Sequence, residues 1–470
     1  MIVIVISLIA AAIQMVLLLL TAKVIGVEHY ARFSLILASA MLASAGLSEW
    51  LRLIVTRHGG SRRKRFRAAL LLHARRWVVS LALGVIALGL VGAALLWVSG
   101  DRRAAGFAAS MGVVAGGTML SDMVAAFLRY VAREQWHYNV YSLIRVTLMG
   151  GASLAAALLG GDGPLVAGAF GIAGMVVGGG YVAFGWPVSG RGRAGLMRRL
   201  SGQGWSLATG SIGTNLALTL ARITLGLALP ARISGSALLS IDLFARGGNV
   251  LCGALCGWGN RILLDGVHDQ GKTGAGRAFR WFSGVFLSVW FAAGLIGLGL
   301  CLVIPIRTLP GTQIGPHIAV TLPTLAAIML LFARIFLFDC LLGALNRHRE
   351  IALIGSLTVA SAAAGSVIAW ALRDPVIAAW MFPATVCVLL MVYIVRNRSE
   401  FRPAVDTAAM RFALAKLALA GGAIAAYAAH SPIVIAVVAA MVGLDIRQAC
   451  AIIGTGKARR SGVVVSAARA

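Results

Sequence analysis

Between two long apolar stretches, 33–56 and 77–99, the chain carries a dense run of cations: Arg57, Arg62, Arg63, Lys64, Arg65, Arg67, Arg75 and Arg76, with His58 and His73 among them. Moving such a loop across a bilayer opposes the membrane potential and loses attraction to anionic headgroups, so cationic loops stay on the cytoplasmic side. In a soluble domain the same run would suggest nucleic acid. Here no soluble domain is available to carry a binding surface, so the run reads as a topology signal that places 57–76 inside the cell and faces anionic membrane lipids. Only 12% of the residues are charged and 60% are hydrophobic, against about 25% charged in a water-soluble globular protein. That deficit recurs along the whole length. The sequence therefore predicts an all-α polytopic membrane protein.

A hydrocarbon core takes about 20 mostly apolar residues per helix. By that measure fourteen spans are predicted, beginning near residues 2, 33, 77, 104, 139, 164, 205, 234, 281, 318, 351, 376, 412 and 432. The apolar start at Met1 lacks a cationic n-region and reads as the first span, not a cleaved leader. With 57–76 inside, both termini are cytoplasmic, and the inward segments hold about four times as many Lys and Arg as the outward loops. This allocation accounts for the formal net charge of +27. Every outward loop is short. That disfavours a membrane glycan polymerase or ligase, which needs an extended outer loop to hold catalytic groups over its substrate.

Two internal matches stand out. The segment 30–34 (Tyr-Ala-Arg-Phe-Ser) echoes 230–234 (Pro-Ala-Arg-Ile-Ser), and Leu120, Ser121 and Asp122 echo Leu337, Phe338 and Asp339. Both relate a span to the one six further on, so the halves share an orientation and are related by an axis along the membrane normal. The predicted organisation is a six-helix lobe over 1–203, a second over 204–395, and a two-helix extension with a basic tail over 396–470.

Charges inside spans are costly, by roughly 2.5–3.5 kcal/mol at a helix centre, and face a cavity or a partner. Span two carries Glu49, Arg52 and Thr56 on one stripe; span eight carries Asp242, Arg246 and Asn249; span seven carries Ser211, Asn215, Thr219 and Arg222. Thr118, Asp122 and Arg129 lie in span four, Arg145 in span five, and Arg334 and Asp339 in span ten. The spacings allow Glu49 to neutralise Arg52 and Asp242 to neutralise Arg246 along their own helices. Arg334 and Asp339, five residues apart, point roughly 140° apart on an α-helix and are predicted not to pair. The cations Arg246, Arg334, Arg52, Arg145 and Arg222, with polar Asn215, Asn249, Glu49 and Asp242, suggest an electropositive chamber for an anion, since guanidinium matches phosphate oxygens bidentately. Asp122 and Asp339 are the candidates for binding a coupling ion or latching the halves.

The stretch 266–273 fits the G-x-x-x-x-G-K-[ST] pattern letter for letter. A phosphate-binding loop needs a strand before it, a helix after it and a sheet to hold both. A connection of about 20 residues has no room for a βαβ unit, so no nucleotide is expected. The cysteines support neither a disulfide framework nor a metal site. No cofactor is predicted beyond a possible coupling H+ or Na+.

Gly26-x-x-x-Tyr30-x-x-Phe33 after span one, the basic loop after span two, and Ala344-Leu345-Asn346-Arg347 closing span ten resemble the bacterial polysaccharide-biosynthesis flippases. These are the O-antigen and exopolysaccharide translocases of the MATE-like multidrug/oligosaccharidyl-lipid/polysaccharide exporter superfamily. The resemblance implies two six-helix lobes around a V-shaped cavity, plus two extra helices. It implies a secondary transporter, not an enzyme, moving an undecaprenyl-pyrophosphate-linked oligosaccharide across the bacterial inner membrane by alternating access, with an ion gradient as driving force. Polysaccharide polymerase or export machinery would be partners. The alternatives are a multidrug or metabolite exporter of the same superfamily and the glycan polymerase or ligase.

Overall fold

The computed structural model describes residues 2–58, 64–130, 135–186, 196–308, 314–345, 347–372 and 374–397. The predicted spans near 412 and 432 and the extension beyond 397 lie outside the described residues, as do the cations at 62–63. Every described element is helical: α1 Ile2–His58, α2 Lys64–Val98, α3 Arg102–Tyr130, α4 Gln135–Leu158, α5 Gly163–Gly180, α6 Leu196–Ala228, α7 Ala231–Thr308, α8 Ile314–Ala333, α9 Asp339–Ala344, α10 His348–Leu372 and α11 Pro375–Arg396. Two five-residue π-helical turns interrupt them, Tyr181–Gly185 after α5 and Arg334–Phe338 between α8 and α9.

Among the described residues eight helices are long and apolar enough to cross a membrane, and two shorter apolar helices, Asn215–Ala228 and Trp380–Arg396, accompany them. The chain is a multi-pass membrane protein. The first half of α7 is not among the eight, and it is there that Arg232, Asp242 and Arg246 fall.

Two helices are too long to be single spans. At 1.5 Å per residue the 57 residues of α1 would reach far beyond a bilayer core of about 30 Å. The helix breaks at Gly26, whose φ of 78° and ψ of 169° belong to a region open essentially to glycine alone. The motif glycine is thus the kink between the first two predicted spans. In the 78-residue α7, a β-carbon on Gly266 would meet the Gly274 carbonyl oxygen at 2.8 Å and the Ala278 Cβ at 3.0 Å. Positions eight apart along a straight helix are about 12 Å apart, so the chain doubles back within 267–273. The predicted inward connection over 260–280 is therefore a helical reversal. Helix, not strand, precedes the Walker-like octapeptide, which removes the geometry a phosphate loop needs.

Two compact units emerge. The first comprises 1–247, 302–327 and 348–386. Here α3 packs on α2 and α5, α1 packs on α3, α4 and α6, and α6 packs on α10. Small residues allow the close approach that membrane helices use in place of a hydrophobic driving force. Where α2 crosses α3, a β-carbon on Gly89 would stand 2.7 Å from the Gly112 Cα. A buried cluster of Leu51, Ile54, Leu70, Val78, Met123 and Phe127 fills one region of the unit. Trp186 closes it, its ring tilted against Phe127 with centroids 4.5 Å apart and its indole N–H donating to the Leu71 carbonyl at 3.1 Å.

The second unit comprises 248–301, 328–347 and, among the described residues, 387–397. Its core is aromatic. Trp290 donates to the Met329 carbonyl at 2.9 Å and packs on Phe332, while Phe338 meets Tyr393 edge to face.

Candidate functional site: a carboxylate hub on three helices

Inside the first unit, α1, α6 and α7 meet at a buried carboxylate. Asp242 Oδ2 accepts hydrogen bonds from the Tyr30 hydroxyl at 2.9 Å and the Ser34 hydroxyl at 2.6 Å, and Asp242 Oδ1 lies 2.8 Å from Arg222 Nη2. Tyr30 and Ser34 sit four residues apart and so share one face of α1. All four residues are buried. The Arg222 Nε is also buried and finds no acceptor among the described residues. Thr219, one turn before Arg222, donates to the Ala38 carbonyl of α1 at 3.4 Å.

Arg246 lies one turn along α7 from Asp242 and is half-buried. Among the described residues it has no carboxylate of its own. The spacing of Asp242 and Arg246 allowed them to neutralise each other along the helix. Instead Asp242 turns away, because α1 and α6 offer it two hydroxyls and a guanidinium at closer range.

The remaining candidates sort into local pairs. Glu49 and Arg52 form an ion pair along α1. Asp122 of α3 reaches Arg145 of α4 at 2.6 Å, and Tyr141 donates to the Ser121 carbonyl beside them. Thr118 bonds back to the Val114 and Ala115 carbonyls of its own helix. Asn215 and Asn249 are exposed and take no part in the Asp242 hub. The side chains of Arg129 and Ser211 lie outside the described residues.

In the second unit the expectation that Arg334 and Asp339 do not pair is overturned: Arg334 Nη2 lies 3.3 Å from Asp339 Oδ2. That expectation assumed α-helical winding. The segment between them is a π-turn in which the Asp339 N–H donates to the Arg334 carbonyl five residues back. Closing the ring one residue later than in an α-helix brings positions five apart onto the same face. The Tyr393 hydroxyl completes the arrangement, donating to Asp339 Oδ1 at 2.7 Å.

Of five candidate arginines, four have a carboxylate within 3.3 Å. Sequence reasoning missed Tyr30 and Ser34 as functional side chains, although it singled out their segment. The signal was their i, i+4 spacing beside a kink glycine.

Comparison with known proteins adds the architecture. No protein-family model matches the chain, and no curated protein is similar to it in sequence. Solved structures do match. One is the inward-facing conformation of a multidrug resistance MATE family transporter of the MOP superfamily, with a TM-score of 0.57 and 10% identity over 83% of this chain and 96% of that one. The fold is MATE-like. A MATE structure in the bent conformation gives a TM-score of 0.56 at 12% identity over 88% and 96% of the two chains. A MATE structure in complex with MaL6 gives 0.54 at 11% identity over 84% and 97%. The MATE-like fold thus spans nearly the full length of each neighbour.

Proposed function

We propose that this chain is a secondary transporter that moves an undecaprenyl-pyrophosphate-linked oligosaccharide across the bacterial inner membrane by alternating access, coupled to H+ or Na+ through Asp122 or Asp339. One observation carries the reading: in the hub on α1, α6 and α7 the single carboxylate, Asp242, is taken by Arg222, and the half-buried Arg246 one turn along α7 has no carboxylate among the described residues. A half-buried cation left without a counter-charge beside membrane-spanning helices marks a pathway for something that supplies the missing charge. A diphosphate headgroup supplies it. The short outward loops read from the sequence agree with a carrier whose cargo is processed by other proteins, among them a polysaccharide polymerase or export complex.

A second reading, export of drugs or metabolites, is favoured by the MATE-like fold and by the multidrug-resistance transporter among its structural neighbours. The deciding experiment reconstitutes the full chain in proteoliposomes. It follows inward-to-outward movement of a fluorescent undecaprenyl-pyrophosphate-linked oligosaccharide, with a cationic dye in parallel. Arg246→Ala is expected to abolish glycolipid movement, and Arg246→Lys to keep part of it, because the charge remains while the bidentate fork is lost. Dye efflux that is indifferent to glycolipid, with full movement in Arg246→Ala, would reject the proposal in favour of the exporter.

A further inference from the structure

The hub has more donors than its carboxylate uses. Asp242 accepts three bonds, from Tyr30, Ser34 and one Nη of Arg222. A carboxylate seated against Nε and Nη2 together would be held bidentately. Asp242 instead takes only the Nη2 corner, and the buried Arg222 Nε is left without an acceptor among the described residues. Buried donors are almost always satisfied, so an unused one beside a buried anion marks a seat shaped for a larger acceptor. Each phosphoryl group of a sugar-linked diphosphate has two terminal oxygens, like a carboxylate, but sets them wider apart on a larger tetrahedral centre that also carries bridging oxygens. It can take the two hydroxyls on one side and the Nε/Nη2 edge on the other.

We propose that Asp242 is an internal stand-in for the cargo's phosphoryl group, occupying a cradle made by Tyr30, Ser34 and Arg222 until the cargo displaces it. The inference rests on the function proposed above. Displacement does not strand the carboxylate, because Arg246 lies four positions further along the same helix face and becomes its i, i+4 partner. Before entry the cluster holds two cations and one anion. After entry of one phosphoryl charge it holds two of each, and both guanidiniums are matched. The competition makes binding reversible, as a carrier requires: the carboxylate returns to the cradle as the cargo leaves.

The test uses the full chain in nanodiscs with two probes, inorganic pyrophosphate in solution and undecaprenyl pyrophosphate in the disc, with undecaprenol as the neutral control. If the native protein spends about nine-tenths of its time with Asp242 in the cradle, Asp242→Asn raises apparent affinity about tenfold. A gain for both probes, or for the lipid probe alone, supports the cradle, and the pattern tells whether the lipid tail is needed. No gain for either overturns it. If Asp242→Asn does not fold, Tyr30→Phe and Ser34→Ala keep the Arg222–Asp242 pair and serve instead. Each removes one cradle donor and is expected to weaken pyrophosphate binding severalfold, and unchanged affinity in both overturns the proposal. Loss of glycolipid transport in Arg246→Ala without an affinity gain in Asp242→Asn would reject the cradle and leave the transport function standing. Tight pyrophosphate binding without glycolipid movement would do the reverse.

Discussion

The Arg334–Asp339 pair offers a quantitative test of whether a π-turn is held by its side chains. Arg334 is 3% exposed and the Asp339 side chain 14%. Removing one partner of a buried ion pair costs about 3–5 kcal/mol, because the other charge is left uncompensated. In Arg334→Met the Asp339 carboxylate keeps the Tyr393 hydroxyl at 2.7 Å and some access to water, so the cost falls at the low end, about 3 kcal/mol. In Asp339→Leu the deeper guanidinium loses its carboxylate at 3.3 Å, and the cost is expected to reach about 4 kcal/mol. The double variant strands neither charge, and replacing a buried pair by apolar side chains is often close to neutral. Its main loss is the partner of the Tyr393 hydroxyl, about 1–3 kcal/mol. The predicted coupling between the two sites is therefore at least about 4 kcal/mol.

The assay is reversible unfolding of the purified protein in mixed micelles by increasing mole fraction of SDS, for wild type, both single variants and the double. Additive single effects, with coupling below about 0.5 kcal/mol, would refute the reasoning. They would mean that the π-turn is imposed by helix packing and that the 3.3 Å approach is incidental.

Three further outcomes follow from the same structure and the same unfolding assay. Gly26→Ala places a β-carbon in open space, so its whole cost is backbone strain of about 1–3 kcal/mol, and a neutral effect would show that the kink relaxes. Gly89→Leu drives a side chain into the α2–α3 crossing, where the nearest Gly112 atom is 2.7 Å from a β-carbon; it should cost about 3 kcal/mol or prevent insertion, and normal stability would deny the close crossing. Asp122→Asn breaks a pair whose side chains are 39% and 25% exposed, so stability should change by less than about 1 kcal/mol; loss of transport at unchanged stability would then locate coupling at Asp122, and full transport would remove it.

What was legible in the sequence was what depends on period and composition. Apolar segments of span length, the cationic connection after residue 56 and the reversal near residue 270 follow from them. What was not legible depends on azimuth and on contacts distant in sequence. Arg222 and Asp242 lie on different helices, and nothing in either stripe says which neighbour it will face. Tyr30 and Ser34 are 212 and 208 positions from the carboxylate they bind. The Arg334–Asp339 misreading has a different origin. The spacing was correct, but the conversion from spacing to angle assumed 3.6 residues per turn through a segment that winds more slowly.

That correction changes how the charge argument for function must be made. Counting buried arginines suggests a chamber with five positive charges, whereas counting pairs leaves four of them matched. The proposed attraction for an anion therefore rests on one place, where Asp242 is taken by Arg222 and Arg246 has no carboxylate among the described residues. A single excess charge is a weaker lure than five, but it is more useful to a carrier. A pocket of five bare guanidiniums would hold a diphosphate too tightly to release it, while a pocket with one excess positive charge, matched by one of the two phosphoryl charges, can both bind it and let it go. The same balance separates the two candidate cargos. An organic cation entering the hub would raise its charge from one to two with no new partner, whereas a phosphoryl group would cancel it. If the chain exports cations, they must bind away from Tyr30, Ser34, Arg222, Asp242 and Arg246, and substitutions at those five positions would leave cation export intact.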